Sequence, residues 1–196
     1  MRQLVSAADI IAFRNGRPLF APFRFEVRRG EIAVIRGGNG LGKTTLLDCF
    51  AGRYFDWSGR LSCPRQSVSY LPQDPQHPTT VPLSQLAGLT IGYEKARYEH
   101  LLGLLNLTSE AEKLPSVLSG GELQKTRLLL AFLRKHDVLL LDEPFANIDD
   151  HCRTALYNEL QRTRENRATV LVSHPVDTGN LTIEGGADFH LEPSID

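Results

Sequence analysis

The sequence predicts an α/β fold: a parallel sheet covered on both faces, with an antiparallel β region beside it and a block of short helices. Two observations carry this. Apolar runs at Ile32–Ile35, Val138–Leu141 and Val170–Val172 read as strands, and they alternate with helical segments at Thr45–Phe50, Leu128–Leu133 and about 150 to 164. A glycine-rich loop, Gly37-Gly38-Asn39-Gly40-Leu41-Gly42-Lys43-Thr44, joins the first of these strands to its helix and fits the pattern G-x-x-x-x-G-K-[ST].

Taken in chain order, residues from about 1 to 30 and from about 58 to 71 are expected to form the antiparallel region. Between them, Asp56-Trp57-Ser58-Gly59-Arg60 reads as a turn, with Gly59 supplying the unusual dihedrals. The loop at 37–44 has a specific chemistry. Its glycines let the backbone bend so that successive N–H groups point at phosphate oxygens. The helix that follows adds unpaired N–H groups and the positive end of its dipole. Lys43 would reach the β- and γ-phosphates, the Thr44 hydroxyl would ligate Mg²⁺, and Thr45 completes the nucleotide-binding stretch.

Asp74-Pro75-Gln76-His77-Pro78 and Val81-Pro82 then punctuate a change of register. Residues from about 83 to 118 read as short helices, one of them at Tyr93–Leu102. Ser119 is a good N-cap, and Glu122 three positions later completes a capping box ahead of a longer helix. Gly120 and Gly121 weaken that helix's first turn by about 1 kcal/mol each relative to alanine, but bare backbone there is what an approaching phosphate needs. The run Val138–Leu141 ends in two carboxylates. Asp142 is placed to hold Mg²⁺ directly or through water, and Glu143 to orient and deprotonate an attacking water.

Through Leu118-Ser119-Gly120-Gly121-Glu122 the chain resembles the ABC-type ATPase family, whose signature is Leu-Ser-Gly-Gly followed by Gln or Glu. The resemblance runs from about Leu4 to His174 and implies a P-loop NTPase with a RecA-like parallel-sheet core. It implies a single ABC-type nucleotide-binding domain over 1–196, with the helical subdomain inserted at about 74–135. It also implies roles. Tyr70-Leu71-Pro72-Gln73 looks like the glutamine loop, with Gln73 touching Mg²⁺ and the attacking water. Ala146-Asn147-Ile148-Asp149 looks like the aspartate loop, with Ala146 where Ser is more usual. Val170-Leu171-Val172-Ser173-His174 matches the run that ends in a switch histidine on the γ-phosphate. An aromatic should stack on adenine, with Phe13 the candidate and Phe20 the alternative.

Composition narrows the class. A formal net charge of −1 gives no basic footprint for nucleic acid. No apolar run nears the roughly 20 residues of a membrane helix. The three cysteines, Cys49, Cys63 and Cys152, are far apart and read as reduced thiols, and the six histidines show no metal-ligand spacing.

The resemblance further implies ATP with Mg²⁺ as ligands and a head-to-tail pair of ATPase subunits, identical or not, in which Ser119 and Gly121 act on the nucleotide of the other copy. It implies a separate polytopic membrane partner, with this chain peripheral on the cytoplasmic face of the cell membrane. Tyr93, Glu94 and Arg97 are expected on the docking face. The stretch Phe13–Phe20 and the short helical block are similar to the haem-exporter ATPase of cytochrome c biogenesis. The alternatives are a soluble ABC-type ATPase acting on ribosomes or DNA, and an ATP-binding module without turnover.

Overall fold

In the computed structural model, which describes residues 3–73, 80–173 and 186–194, five strands form one parallel sheet. They are β6 (Val68–Leu71), β7 (Val138–Asp142), β8 (Ala168–Val172), β4 (Ile32–Arg36) and β9 (Gly186–His190), in that spatial order. Side chains along each central strand divide between two cores, as the pleat requires. Ala33, Ile35, Leu140 and Val172 pack on one side with helix α1 (Lys43–Ala51), whereas Ile32, Val34, Leu141 and Leu171 pack on the other. Strands buried on both faces cannot alternate apolar with polar, which is why they read as unbroken apolar runs.

A second, antiparallel sheet lies over the α1 side. Its central strand β1 (Gln3–Arg14) pairs with β2 (Arg17–Pro18), β3 (Phe23–Arg28) and β5 (Trp57–Ser62). In β3 the alternation is complete: Phe23, Phe25 and Val27 are buried, and Arg24, Glu26 and Arg28 are exposed. Leu46, Leu47 and Phe50 of α1 are fully buried between the sheets. Each contributes about 1.5–3 kcal/mol of apolar burial.

The helices α2 (Leu83–Gly88), α3 (Lys95–Leu104), α4 (Gly120–Leu133) and α5 (Asp150–Thr163) share one hydrophobic cluster with the far face of the parallel sheet. The inserted helices are therefore packed into the core rather than appended to it. A buried carboxylate ties α3 to α5: Glu159 is 2% exposed, forks to Arg162 with two bonds of 2.8 Å, and lies 3.3 Å from His100 and 3.8 Å from Arg97. Burial opposes its charge, but the Arg162 bonds and the neighbouring cations outweigh that and hold its pKa below the usual range.

Four expectations need correction. The stretch Asp56–Arg60 is not a turn, because Trp57–Ser62 is a strand paired with β1. Gly59 does have a left-handed φ of +97°, and a Cβ there would lie 2.3 Å from the Asp9 carbonyl oxygen, so close approach of strands explains it. The region from 58 to 71 is divided, since β5 joins the antiparallel sheet and β6 the parallel one. A strand to which the sequence analysis assigned no element, β9, lies at the sheet edge, fastened by Phe189 against Phe25 with ring centroids 4.8 Å apart. Finally, Arg97 is not a free surface cation: it is half-buried and donates to the Phe132 carbonyl oxygen at 2.9 Å. The expected helix Tyr93–Leu102 starts two residues later, at Lys95. His174 and the stretch Asp74–Pro78 lie outside the described residues.

Candidate functional site

The loop between β4 and α1 ends in Gly42, which caps the helix from the left-handed region at φ +81°. A Cβ on Gly42 would lie 3.1 Å from Leu19 and 3.2 Å from Phe20, so the loop is seated against the chain that follows β2. Lys43 is 7% exposed, and its Nζ donates to the carbonyl oxygens of Gly37 and Gly38 at 2.9 Å each. A cation fixed over a ring of backbone N–H groups at a helix N-terminus is a phosphate-binding arrangement. A cavity of about 480 Å³ opens here, lined by Asn39, Gly40, Gly42, Lys43, Thr44 and Thr45, and closed by Arg14, Gln73 and Glu143.

Behind Thr44 stands Asp142, the last residue of β7 and 2% exposed. Burial pushes its carboxyl up to about 6; the Thr44 hydroxyl, donating to it, opposes that, and the nearby charges of Glu143 and Asp48 add to it. Its Oδ2 is buried without a hydrogen-bond partner. A buried carboxylate oxygen left unpartnered beside a threonine hydroxyl fits a hard divalent cation, which takes oxygen ligands. Thr44 and Asp142 are thus the residues that would hold Mg²⁺.

Glu143 follows in the left-handed region at φ +47°, a conformation that costs on the order of 1–3 kcal/mol for a non-glycine residue and is retained where the surroundings over-determine it. Here its N–H donates to the Val172 carbonyl oxygen at 2.9 Å and its carbonyl oxygen accepts from Ala146 at 3.2 Å. The turn lifts the carboxylate away from Asp142 and into the cavity, where Gln73 Nε2 donates to its Oε2 at 3.4 Å. One carboxylate is buried at the strand end, and its neighbour lines the cavity.

The signature segment lies elsewhere. Ser119 caps α4 with both arms of the capping box, its Oγ accepting from the Glu122 N–H at 3.3 Å and its own N–H donating to Glu122 Oε2 at 2.7 Å. Ser119 and Gly120 are exposed, a Cβ on Gly120 would meet nothing within 4 Å, and none of Ser119, Gly120 and Gly121 lines the cavity. The segment is strapped to the turn after β7. Lys125 Nζ lies 2.6 Å from Asp149 Oδ2, Gln124 Nε2 donates to the Pro144 carbonyl oxygen at 3.4 Å, and a Cβ on Gly121 would sit 3.0 Å from the Asn147 carbonyl oxygen. The Lys125 ammonium and the Cys152 N–H hold the Asp149 carboxyl well below the usual range.

The structure therefore gathers the loop, Gln73, Asp142 and Glu143, and leaves the signature outside. Of the two aromatics considered for adenine, Phe20 is fully buried and Phe13 is half-buried, and neither lines the cavity. Arg14, the next residue, does. Sequence reading missed it, although strand alternation turns the neighbour of Phe13 to the opposite face.

The ABC transporter family model matches residues 20–146. The aliphatic sulfonates import ATP-binding protein SsuB 1 of Nocardia farcinica is 34% identical over 160 residues, covering 77% of this chain and 63% of its own length. SsuB 3 of Rhodococcus jostii is 35% identical over 182 residues, covering 88% and 66%. The zinc import ATP-binding protein ZnuC 1 of Hahella chejuensis is 30% identical, covering 87% and 68%. The chain thus spans about two thirds of the length of these relatives. Among solved structures, a putative ABC transporter ATP-binding protein from Pyrococcus furiosus superposes with a TM-score of 0.83 at 17% identity, covering 97% of this chain and 99% of that one. An archaeal ribosome recycling factor superposes with a TM-score of 0.80 at 25% identity over 38% of its length.

Proposed function

Because the chain belongs to the ABC transporter family, we propose that it binds and hydrolyses ATP to energise a separate membrane-spanning partner. The observation that carries the reading is the unpartnered buried Oδ2 of Asp142 behind Thr44, a residue that lines one cavity with Lys43, Gln73 and Glu143. Lys43 and the loop N–H groups bind the β- and γ-phosphates. Thr44 and Asp142 would hold Mg²⁺, which would supply positive charge against those phosphates. Gln73 orients a water, and Glu143 takes its proton as it attacks the γ-phosphorus; the bond from that phosphorus to the β–γ bridging oxygen breaks, and ADP leaves with the electron pair. The switch-histidine role belongs to His174.

The exposed signature argues for a site completed by a second copy. Ser119, Gly120 and Gly121 present a helix N-terminus that serves nucleotide held on another subunit, head to tail. The partner's seat is a groove of about 360 Å³ between the end of β6 and the helices α2 and α4, lined by Leu71, Pro72, Leu86, Leu89, Ile91 and Leu130. Leu89 and Ile91 are 80% and 66% exposed on its rim, and Gln73 follows its floor directly, so groove and nucleotide share one segment. Among the described residues no helix is long and apolar enough to cross a membrane; the proposed place of the chain is peripheral, on the cytoplasmic face, beside a membrane-spanning partner. The relatives are named for sulfonate and zinc import, and those names favour import over the likeness to the haem exporter.

Lys43→Ala tests the reading. ATP affinity measured by calorimetry with Mg²⁺ should fall by at least 10-fold, and turnover should vanish, because the cation on the phosphates is lost. Unchanged affinity and turnover would remove the site.

A further inference from the structure

Resting on the nucleotide-site reading, we propose that Arg14 is a further nucleotide-binding residue, whose guanidinium takes the α-phosphate. Its backbone is fixed from three sides. Arg14 is the last residue of β1, and Asn15 and Gly16, at φ +53° and +74°, form a tight two-residue turn that pairs Arg14 with Arg17. One residue earlier, the Phe13 N–H donates to the Asp56 carbonyl oxygen at 2.9 Å, and the Tyr54 hydroxyl donates to the Phe13 carbonyl oxygen. The same hairpin carries Leu19 and Phe20, against which Gly42 is seated. Strand end and phosphate loop are therefore held as one unit.

From that position the side chain reaches the first turn of α1, where its Nη2 donates to Thr45 Oγ1 at 3.5 Å. It lines the cavity together with Lys43, Thr44 and Thr45. With Lys43 assigned to the β- and γ-phosphates and Thr44 to Mg²⁺, the α-phosphate is left with the loop N–H groups and Thr45, and with no cation of its own. A guanidinium beside Thr45 supplies the second cation, in a planar fork suited to two oxygens of one phosphate. No other lysine or arginine lines the cavity among the described residues.

The test is calorimetry on the intact chain with ATP, ADP, GTP and inorganic pyrophosphate, comparing wild type with Arg14→Ala and Arg14→Lys. Arg14→Ala should weaken ATP, ADP and GTP alike by about 10-fold and weaken pyrophosphate, which has no nucleoside to fix its register on the loop, by less. Arg14→Lys should recover part of the loss. Circular dichroism and thermal melting should match wild type, because the side chain is exposed. Equal nucleotide affinities in wild type and Arg14→Ala would overturn the assignment. A loss for ATP without one for GTP would overturn it too, placing Arg14 on the base instead. Wild-type chain that binds no nucleotide would sink the site itself, an outcome distinct from failure of Arg14 alone.

Discussion

Asp142 and Glu143 are adjacent in sequence and opposed in environment, and that contrast is the chemistry. The positive φ at Glu143 turns its carboxylate into the cavity while Asp142 remains at the dry end of β7. A carboxyl raised to about 6 is a stability cost when ionised. The native state binds the proton more tightly than the unfolded chain between about pH 4 and 6. Stability due to this group therefore falls as pH rises through that window, and the cost is complete above it. Asp142→Asn should accordingly raise the melting temperature of the metal-free chain at pH 7.5, by on the order of 2–3 kcal/mol in free energy, with the gain gone near pH 4. The same variant should lose Mg²⁺-dependent hydrolysis. A chelator-treated melting series across pH 4–8 checks it; a destabilised variant at neutral pH would refute the buried-charge account.

At the scale of elements, the motifs were legible because each is local. The loop, the strand that ends in Asp142 and the cap at Ser119 are spelled by consecutive residues whose backbone demands match their chemistry. What escaped was set by distant partners. β9 has few signals of its own and is a strand because β4 offers it an edge. The stretch Trp57–Ser62 carries Gly59 and resembles a turn until β1 is laid across it. Arg14 was missed because only the tertiary fold brings β1 to Thr45. Arg97 looked exposed for the converse reason, since Glu159 and the Phe132 carbonyl oxygen come from helices far along the chain. That polar lock should be strong: Glu159→Ala leaves the buried Arg167 and its neighbours without a counter-charge and should cost on the order of 3 kcal/mol in chemical denaturation. A loss below about 0.5 kcal/mol would show that water, not Glu159, satisfies those cations.

For the whole molecule, the groove between β6, α2 and α4 and the open signature are two surfaces with different proposed occupants. Leu89→Asp with Ile91→Asp alters only the rim of the groove. Basal ATP hydrolysis should remain within about 2-fold, while association with the membrane partner, followed by co-purification from detergent extracts, should be lost, because a buried charge without a partner is costly at an interface. Retained co-purification would move the docking site elsewhere. The sequence named the signature but could not show where it points; its absence from the cavity is a property of the folded chain.

In the proposed assembly one copy holds half of an ATP site and a second copy supplies the rest. Glu143→Gln keeps size and hydrogen bonding but loses the base, so hydrolysis should drop by about 10²-fold or more and the closed state should accumulate. Light scattering coupled to size-exclusion chromatography, run on this variant with and without Mg²⁺-ATP, reads the outcome directly. The expected result is a single chain without nucleotide and twice that mass with it, reverting when Ser119→Arg is added to block the signature. A single chain at saturating, demonstrably bound ATP would contradict the claim.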